Sequence, residues 1–201
     1  MVKMLKDYQV RSRFLQIEAA DFLKRSEIIN IISPYGKIHF SGSYEFETMC
    51  WHGIDIILQI EDILNSKNVL REVTAKLYRK KEIVDIHFID CFNFKIRKGL
   101  PKGFFIGFDI IDEKIVENWR IDIWILCQED FNKSQVFAND VKTKMTDELK
   151  DLIIKIKFAL LGEKKKLPQM ISNKLYEAIL FKNMRDEEEI KKFVEANTQT
   201  I

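Results

Sequence analysis

Apolar residues recur every three or four positions from Phe14 through Ile17, Ala20 and Leu23 to Ile28, which predicts a helix over residues 14–32. Ser33, Pro34, Tyr35 and Gly36 stop it. Lys37–Phe40 then reads as a short strand running into Ser41-Gly42-Ser43. Gly53–Ile60 (GIDIILQI) reads as a second strand, apolar and β-branched enough to be central. A helical stripe over 61–79 follows, with Ile63, Leu70, Val73 and Leu77 on one face. Residues 82–94 alternate with period two, Val84, Ile86 and Phe88 against Asp85 and His87, and predict a strand. Lys95, Arg97, Lys98 and Lys102 surround Gly99 and Pro101 in a basic turn. Two further strands are expected at 103–111 and 118–127, the latter (NWRIDIWILC) strongly apolar.

After Gln128 the pattern becomes helical. Met145, Leu149, Leu152, Ile153, Ile156 and Leu160 form one stripe, and residues 162–168 form a charged break containing Lys164–Lys166. Ile171, Leu175, Ala178 and Ile179 mark a second helix over 168–182. Asp186, followed by three glutamates, looks like the N-cap of a third, because carboxylates suit the positive end of a helix dipole. The expected fold class is therefore α+β: a mixed β-sheet flanked by helices, with a C-terminal helical segment. The expected division is an α+β domain over 1–135 and a helical segment over 136–201 packed on it.

Composition narrows the class. Hydrophobic residues are 46% of the 201 and include Phe 15 and Trp 3, enough for a sizeable core, so disorder is not expected. Lys+Arg 33 against Asp+Glu 31 gives +2, so no global field draws the chain to nucleic acid. Cys50, Cys91 and Cys127 are widely spaced and form no zinc pattern with three histidines. The N-terminus is polar, and no apolar run nears the roughly 20 residues of a membrane span. A soluble, cytoplasmic protein with no membrane partner is expected.

The chemistry concentrates in 40–58 (FSGSYEFETMCWHGIDIIL). At Gly42-Ser43 the backbone can approach phosphate oxygens closely and the Ser43 hydroxyl can donate to one. Asp55, between isoleucines on the next strand, is a hard oxygen ligand of the kind Mg²⁺ shares with substrate phosphates. Asp122 stands in the same Ile-Asp-Ile frame on a later strand. A carboxylate in an apolar strand is costly unless paired or metal-bound, so two in matching frames point to one shared site. Tyr44–His52 is expected to be a helical turn with Phe46, Met49 and Cys50 inward. Trp51, Trp119 and Trp124 read as core, and His39 and His87 as surface or packing residues.

These residues resemble the nucleotidyltransferase superfamily, the DNA polymerase β-like fold, and within it an uncharacterised bacterial branch. The resemblance rests on Gly42-Ser43-Tyr44, Met49-Cys50-Trp51, Ile54-Asp55-Ile56 and Trp119-Arg120-Ile121-Asp122-Ile123-Trp124. It implies that Asp55 and Asp122 are catalytic and hold Mg²⁺, while Gly42 and Ser43 bind the triphosphate of an NTP substrate. A nucleoside monophosphate would then pass to an acceptor of unknown kind: a small molecule, a protein or an RNA. The family pattern also wants an acid at position 53, where this chain has Gly53. Glu45 and Glu47 are the nearest replacements, Asp90 and Asp109 more distant ones, and His52 a weaker one. The missing acid sustains the alternative of a catalytically impaired member that binds a nucleotide or partner. An unrelated metal-dependent phosphate enzyme built on the same two aspartates is a third reading.

Overall fold

The computed structural model describes residues 2–61, 65–94, 100–115, 117–162 and 170–198. Its centre is one five-stranded mixed sheet in the order β1-β2-β5-β4-β3. β1 (Lys37–Ser41) pairs antiparallel with β2 (Gly53–Ile60), which runs parallel to β5 (Glu117–Cys127). β4 (Phe104–Asp112) and β3 (Ile83–Asp90) complete the sheet in antiparallel register. The parallel β2–β5 pair requires a long crossover, which α4 (Ser66–Tyr78), β3 and β4 supply.

Period two sorts each strand onto two faces. Ile54, Ile56 and Leu58, with Ile121, Ile123, Ile125, Ile106 and Phe108, lie under α1 (Val2–Arg25), α2 (Ile28–Ile32) and α4. Burial of each such side chain contributes roughly 1.5–3 kcal/mol. The opposite face is divided. Ile57 and Leu126 are covered by Phe131 of α5 (Gln128–Lys144), whereas Asp55, Asp122, Arg120 and Asp109 share the remainder. A second core joins α5, α6 (Asp147–Leu161), α7 (Ile171–Tyr176) and α8 (Glu187–Thr198) through Val141, Ile153, Ile156, Leu175, Ile190 and Val194. Phe46 and Cys50, from the connection between β1 and β2, belong to this second core.

Several elements differ from the sequence pattern. The first helix starts at Val2, and its buried face is Ala19, Phe22 and Leu23, while Phe14 is 63% and Ile17 68% exposed. One helix packs on the sheet at its C-terminal end and on α6 at its N-terminal end, so a single stripe does not describe it. β3 ends at Asp90 rather than Phe94, because the Asp90 carboxylate accepts the backbone N–H of Phe92 and Asn93 and closes a turn. Val84 and Phe88 stay exposed on this edge strand. The helix expected from Glu61 begins at Ser66, and Ile63 lies outside the described residues. α5 has no counterpart in the apolar pattern, since it buries only Asp130, Phe131, Ala138 and Val141. α7 opens at Ile171 and passes into a π-helical turn, Glu177–Phe181. Thr146 caps α6, and the Asp186 carboxylate accepts Glu189 N–H at the start of α8.

Candidate functional site: an aspartate pair beside a glycine turn

β1 delivers the chain to the site. After Ser41 it bends sharply at Gly42, with φ +63, and enters the four-residue α3 (Gly42–Glu45). A β-carbon at Gly42 would collide with Asp55 Oδ2 and sit 3.0 Å from its Cγ. Two independent constraints thus select glycine: the left-handed backbone and the carboxylate against it. The helical turn expected over Tyr44–His52 is confined to Gly42–Glu45, and residues 48–50 have no regular structure; Phe46, Met49 and Cys50 are buried as expected, and they anchor the connection by packing rather than by helical spacing. Gly42→Ala should therefore cost about 2–4 kcal/mol, from the left-handed penalty plus overpacking. Urea denaturation measures it, and a loss below about 1 kcal/mol would mean that turn and carboxylate are not locked together.

Asp55 and Asp122 are register partners on β2 and β5 and share a sheet face. Adjacent strands lie about 4.8 Å apart, so the carboxylates feel each other. Burial, reinforced by the Asp122 charge and opposed by Lys157, pushes Asp55 up to about 7. Burial also raises Asp122, while Arg120 counteracts. Among the described residues no hydrogen-bond donor reaches Asp55. Asp122 Oδ1 accepts Arg120 Nε at 2.8 Å, and its second oxygen receives no donor among those residues.

Lys157, which the sequence reading missed, completes the turn. It is fully buried on α6, and its Nζ donates to Ser43 Oγ (2.7 Å), Thr48 O (3.1 Å), Thr48 Oγ1 (3.1 Å) and Tyr176 OH (3.1 Å). Thr48 Oγ1 and Tyr176 OH also bond each other at 2.7 Å. No carboxylate pairs with this cation among the described residues. The available signal was a lysine inside the apolar stripe of Ile153, Ile156 and Leu161. Arg120 was missed too, although it shares the parity of Asp122 and so must share its face.

The other candidates point elsewhere. Glu45 pairs with Lys142 at 2.6 Å and Glu47 with Lys150, both toward the helical segment. Asp90 caps its own turn, and Asp109 pairs with Arg120. His52 packs edge-on against Trp119 and faces Glu18 at 3.4 Å. His39 stacks on Phe131, but His87 is part of the polar face, 3.0 Å from Arg120 Nη2. Burial pushes the Cys50 thiol up to about 11, which leaves it inert near neutral pH. Trp119 is fully buried, while Trp51 and Trp124 are half-buried. Residues 95–99 of the basic turn and Lys164–Lys166 lie outside the described residues, and Lys102 rests on the Phe92 ring at 4.6 Å.

Gly53 offers no room for the absent acid. A β-carbon there would lie 2.7 Å from Cζ2 of Trp51, whose ring covers the strand at that point. Introducing Asp at 53 requires displacing an indole. Among the described residues, no group of three or more Asp, Glu, His or Cys side chains converges on a metal position. The donor set fits one hard cation: a donor-free carboxylate at Asp55 plus the open oxygen of Asp122. No described helix is long and apolar enough to cross a membrane.

No protein-family model and no curated protein matches the chain. Among solved structures it is similar to that of a GLD-2/RNP-8 complex, at 14% identity and a TM-score of 0.49, covering 96% of this chain and 81% of that one. It is similar to the Cid1 poly(U) polymerase with MgGTP bound at 14% identity and a TM-score of 0.47, covering 77% of this chain and 49% of that one. Small alarmone synthetase 2 from Bacillus subtilis is similar at 14% identity and a TM-score of 0.36, covering 93% of this chain and 97% of that one. The five-stranded mixed sheet flanked by helices is the architecture that the resemblance to nucleotidyltransferases implies.

Proposed function

We propose that the Asp55–Asp122 site binds a nucleoside triphosphate with Mg²⁺ and transfers its nucleoside monophosphate to an acceptor hydroxyl. The observation that carries this reading is the closure of the Gly42-Ser43 turn directly onto Asp55, the register partner of Asp122. An anion-binding turn and a carboxylate pair in contact are what a metal–phosphate complex needs. Gly42 presents backbone, and Ser43 presents a hydroxyl. Lys157 brings a buried positive charge to Ser43, where a phosphate oxygen would meet both. Mg²⁺, when bound by Asp55 and Asp122, supplies charge neutralisation for the phosphates.

In the reaction the acceptor O–H gives up its proton and its oxygen bonds the α-phosphorus. The α–β anhydride bond breaks, and pyrophosphate carries away the bond's electron pair. On this reading the acceptor's proton passes to the Asp122 carboxylate, which Arg120 holds by Oδ1. The division into 1–135 and 136–201 belongs to this reading, with Lys157 and Tyr176 brought from the second part to a turn of the first. We place the protein in the cytoplasm, where NTPs and Mg²⁺ are abundant.

A second reading, nucleotide binding with little or no turnover, draws support from Gly53, the Trp51 ring over it and the Arg120 bridge to Asp122. Isothermal titration of the four Mg-NTPs, paired with a pyrophosphate-release assay, separates the two. Binding with release that Asp122→Asn abolishes supports transfer. Binding without release, across small-molecule, protein and RNA acceptors, supports the binding protein. No binding of any Mg-NTP overturns both.

A further inference from the structure

We infer that Arg120 is a resident cation of this site and restricts it to a single divalent ion. The inference rests on the metal–nucleotide reading above and concerns how many ions the site takes. Arg120 faces Gly53 in the parallel register of β2 and β5, so its guanidinium arises beside the position where the family pattern carries an acid. Its side chain is only 12% exposed. Nε holds Asp122 Oδ1 at 2.8 Å, Nη1 lies 3.3 Å from Asp109 Oδ1 and 3.7 Å from Asp85 Oδ2, and Nη2 lies 3.0 Å from His87 Nε2. One guanidinium therefore serves three carboxylates, including half of the proposed metal pair.

The seat is built into the sheet. A β-carbon at Gly107, on β4 between His87 and Asp122, would collide with Arg120 Nη2 and lie 2.8 Å from His87 Cε1. The one side-chain-free position in that row lies where the guanidinium passes. Charge favours the same conclusion. Asp55 and Asp122 bring two negative charges and Arg120 returns one positive. A second divalent ion would meet a fixed cation, and the one oxygen of Asp122 that Arg120 leaves open is already taken by the first ion. The repulsion is that of a double positive charge against a single one, twice that of two unit charges at the same separation, in a site screened less than bulk water.

The test counts bound Mn²⁺ by electron paramagnetic resonance on the full chain, with and without a non-hydrolysable ATP analogue. The parent should bind at most one ion, and Arg120→Lys should match it because the charge remains. Arg120→Met should bind a second ion, or bind Mn²⁺ at least tenfold more tightly, because Asp122 and Asp109 are released. Gly107→Ala should move in the same direction by pushing the guanidinium off its seat, which keeps the idea testable if Arg120→Met does not fold. If both variants bind Mn²⁺ as the parent does while Asp55→Asn abolishes binding, Arg120 is an ordinary ion-pair residue and only this inference fails. If the parent, Asp55→Asn and both variants all fail to bind Mn²⁺, the metal–nucleotide reading fails with it. A parent that already binds two ions also overturns the inference.

Discussion

At pH 8.5 Asp55→Asn should be more stable than the parent by several kcal/mol, and the difference should vanish near pH 4. The folded pKa of about 7 lies above the unfolded value near 3.8, so the folded chain holds a proton on Asp55 that the unfolded chain has lost. Stability is present below the unfolded pKa and is lost as pH rises between the two values. The gap between them corresponds to on the order of 4 kcal/mol once Asp55 is fully ionised. Asn removes the charge at nearly constant volume and, with no donor on the native carboxylate among the described residues, sacrifices no hydrogen bond there. Urea midpoints for both proteins from pH 4 to 9 measure the effect, and parallel curves would refute it. Millimolar Mg²⁺ at pH 8.5 should raise the parent's midpoint and not the variant's. A residue whose removal stabilises the fold is being kept for something other than folding, which is the usual relation between a functional charge and its scaffold.

Asp55 and Asp122 were legible because a strand has period two and an apolar strand tolerates few charges. Two Ile-Asp-Ile frames left little choice of face, and the parallel register then set the two residues side by side. Gly42 was legible as a turn, but its contact with Asp55 was not, since it depends on how β1 pairs with β2. What stayed hidden depends on tertiary packing. The buried face of α1 turns because the helix spans two partners, and α5 carries too few apolar residues to show a period. Gly53 read as a missing ligand. Only the placement of the Trp51 ring shows that a side chain at 53 has no room. Lys157 was the hardest case, since its partners Ser43, Thr48 and Tyr176 are separated from it in sequence by between 19 and 114 residues.

Lys157→Met should weaken Mg-NTP binding more than it weakens the fold. Met retains the aliphatic stem that packs inside α6, so the loss is confined to the ammonium and its four oxygen partners. Of these, Thr48 Oγ1 and Tyr176 OH keep each other at 2.7 Å, and Ser43 is only half-buried, so water can replace the ammonium at its Oγ. Only the Thr48 carbonyl is left buried without its donor, a cost of about 1–3 kcal/mol. Offsetting this, removing a buried cation that forms no ion pair with a carboxylate among the described residues relieves its own desolvation. The net stability change should therefore stay below about 2 kcal/mol. Binding has no such compensation. A phosphate oxygen at Ser43 would lose a charge-assisted hydrogen bond of about 1.5–3 kcal/mol, some tenfold to a hundredfold in Kd. The stem hydrocarbon offers nothing in exchange. Paired measurements decide the matter: urea denaturation for the fold, and titration with Mg-NTP and with inorganic triphosphate for the site. A collapse of stability with unchanged affinity in the surviving folded fraction would make Lys157 a core residue only, and the positive charge on the turn would then have to come from elsewhere.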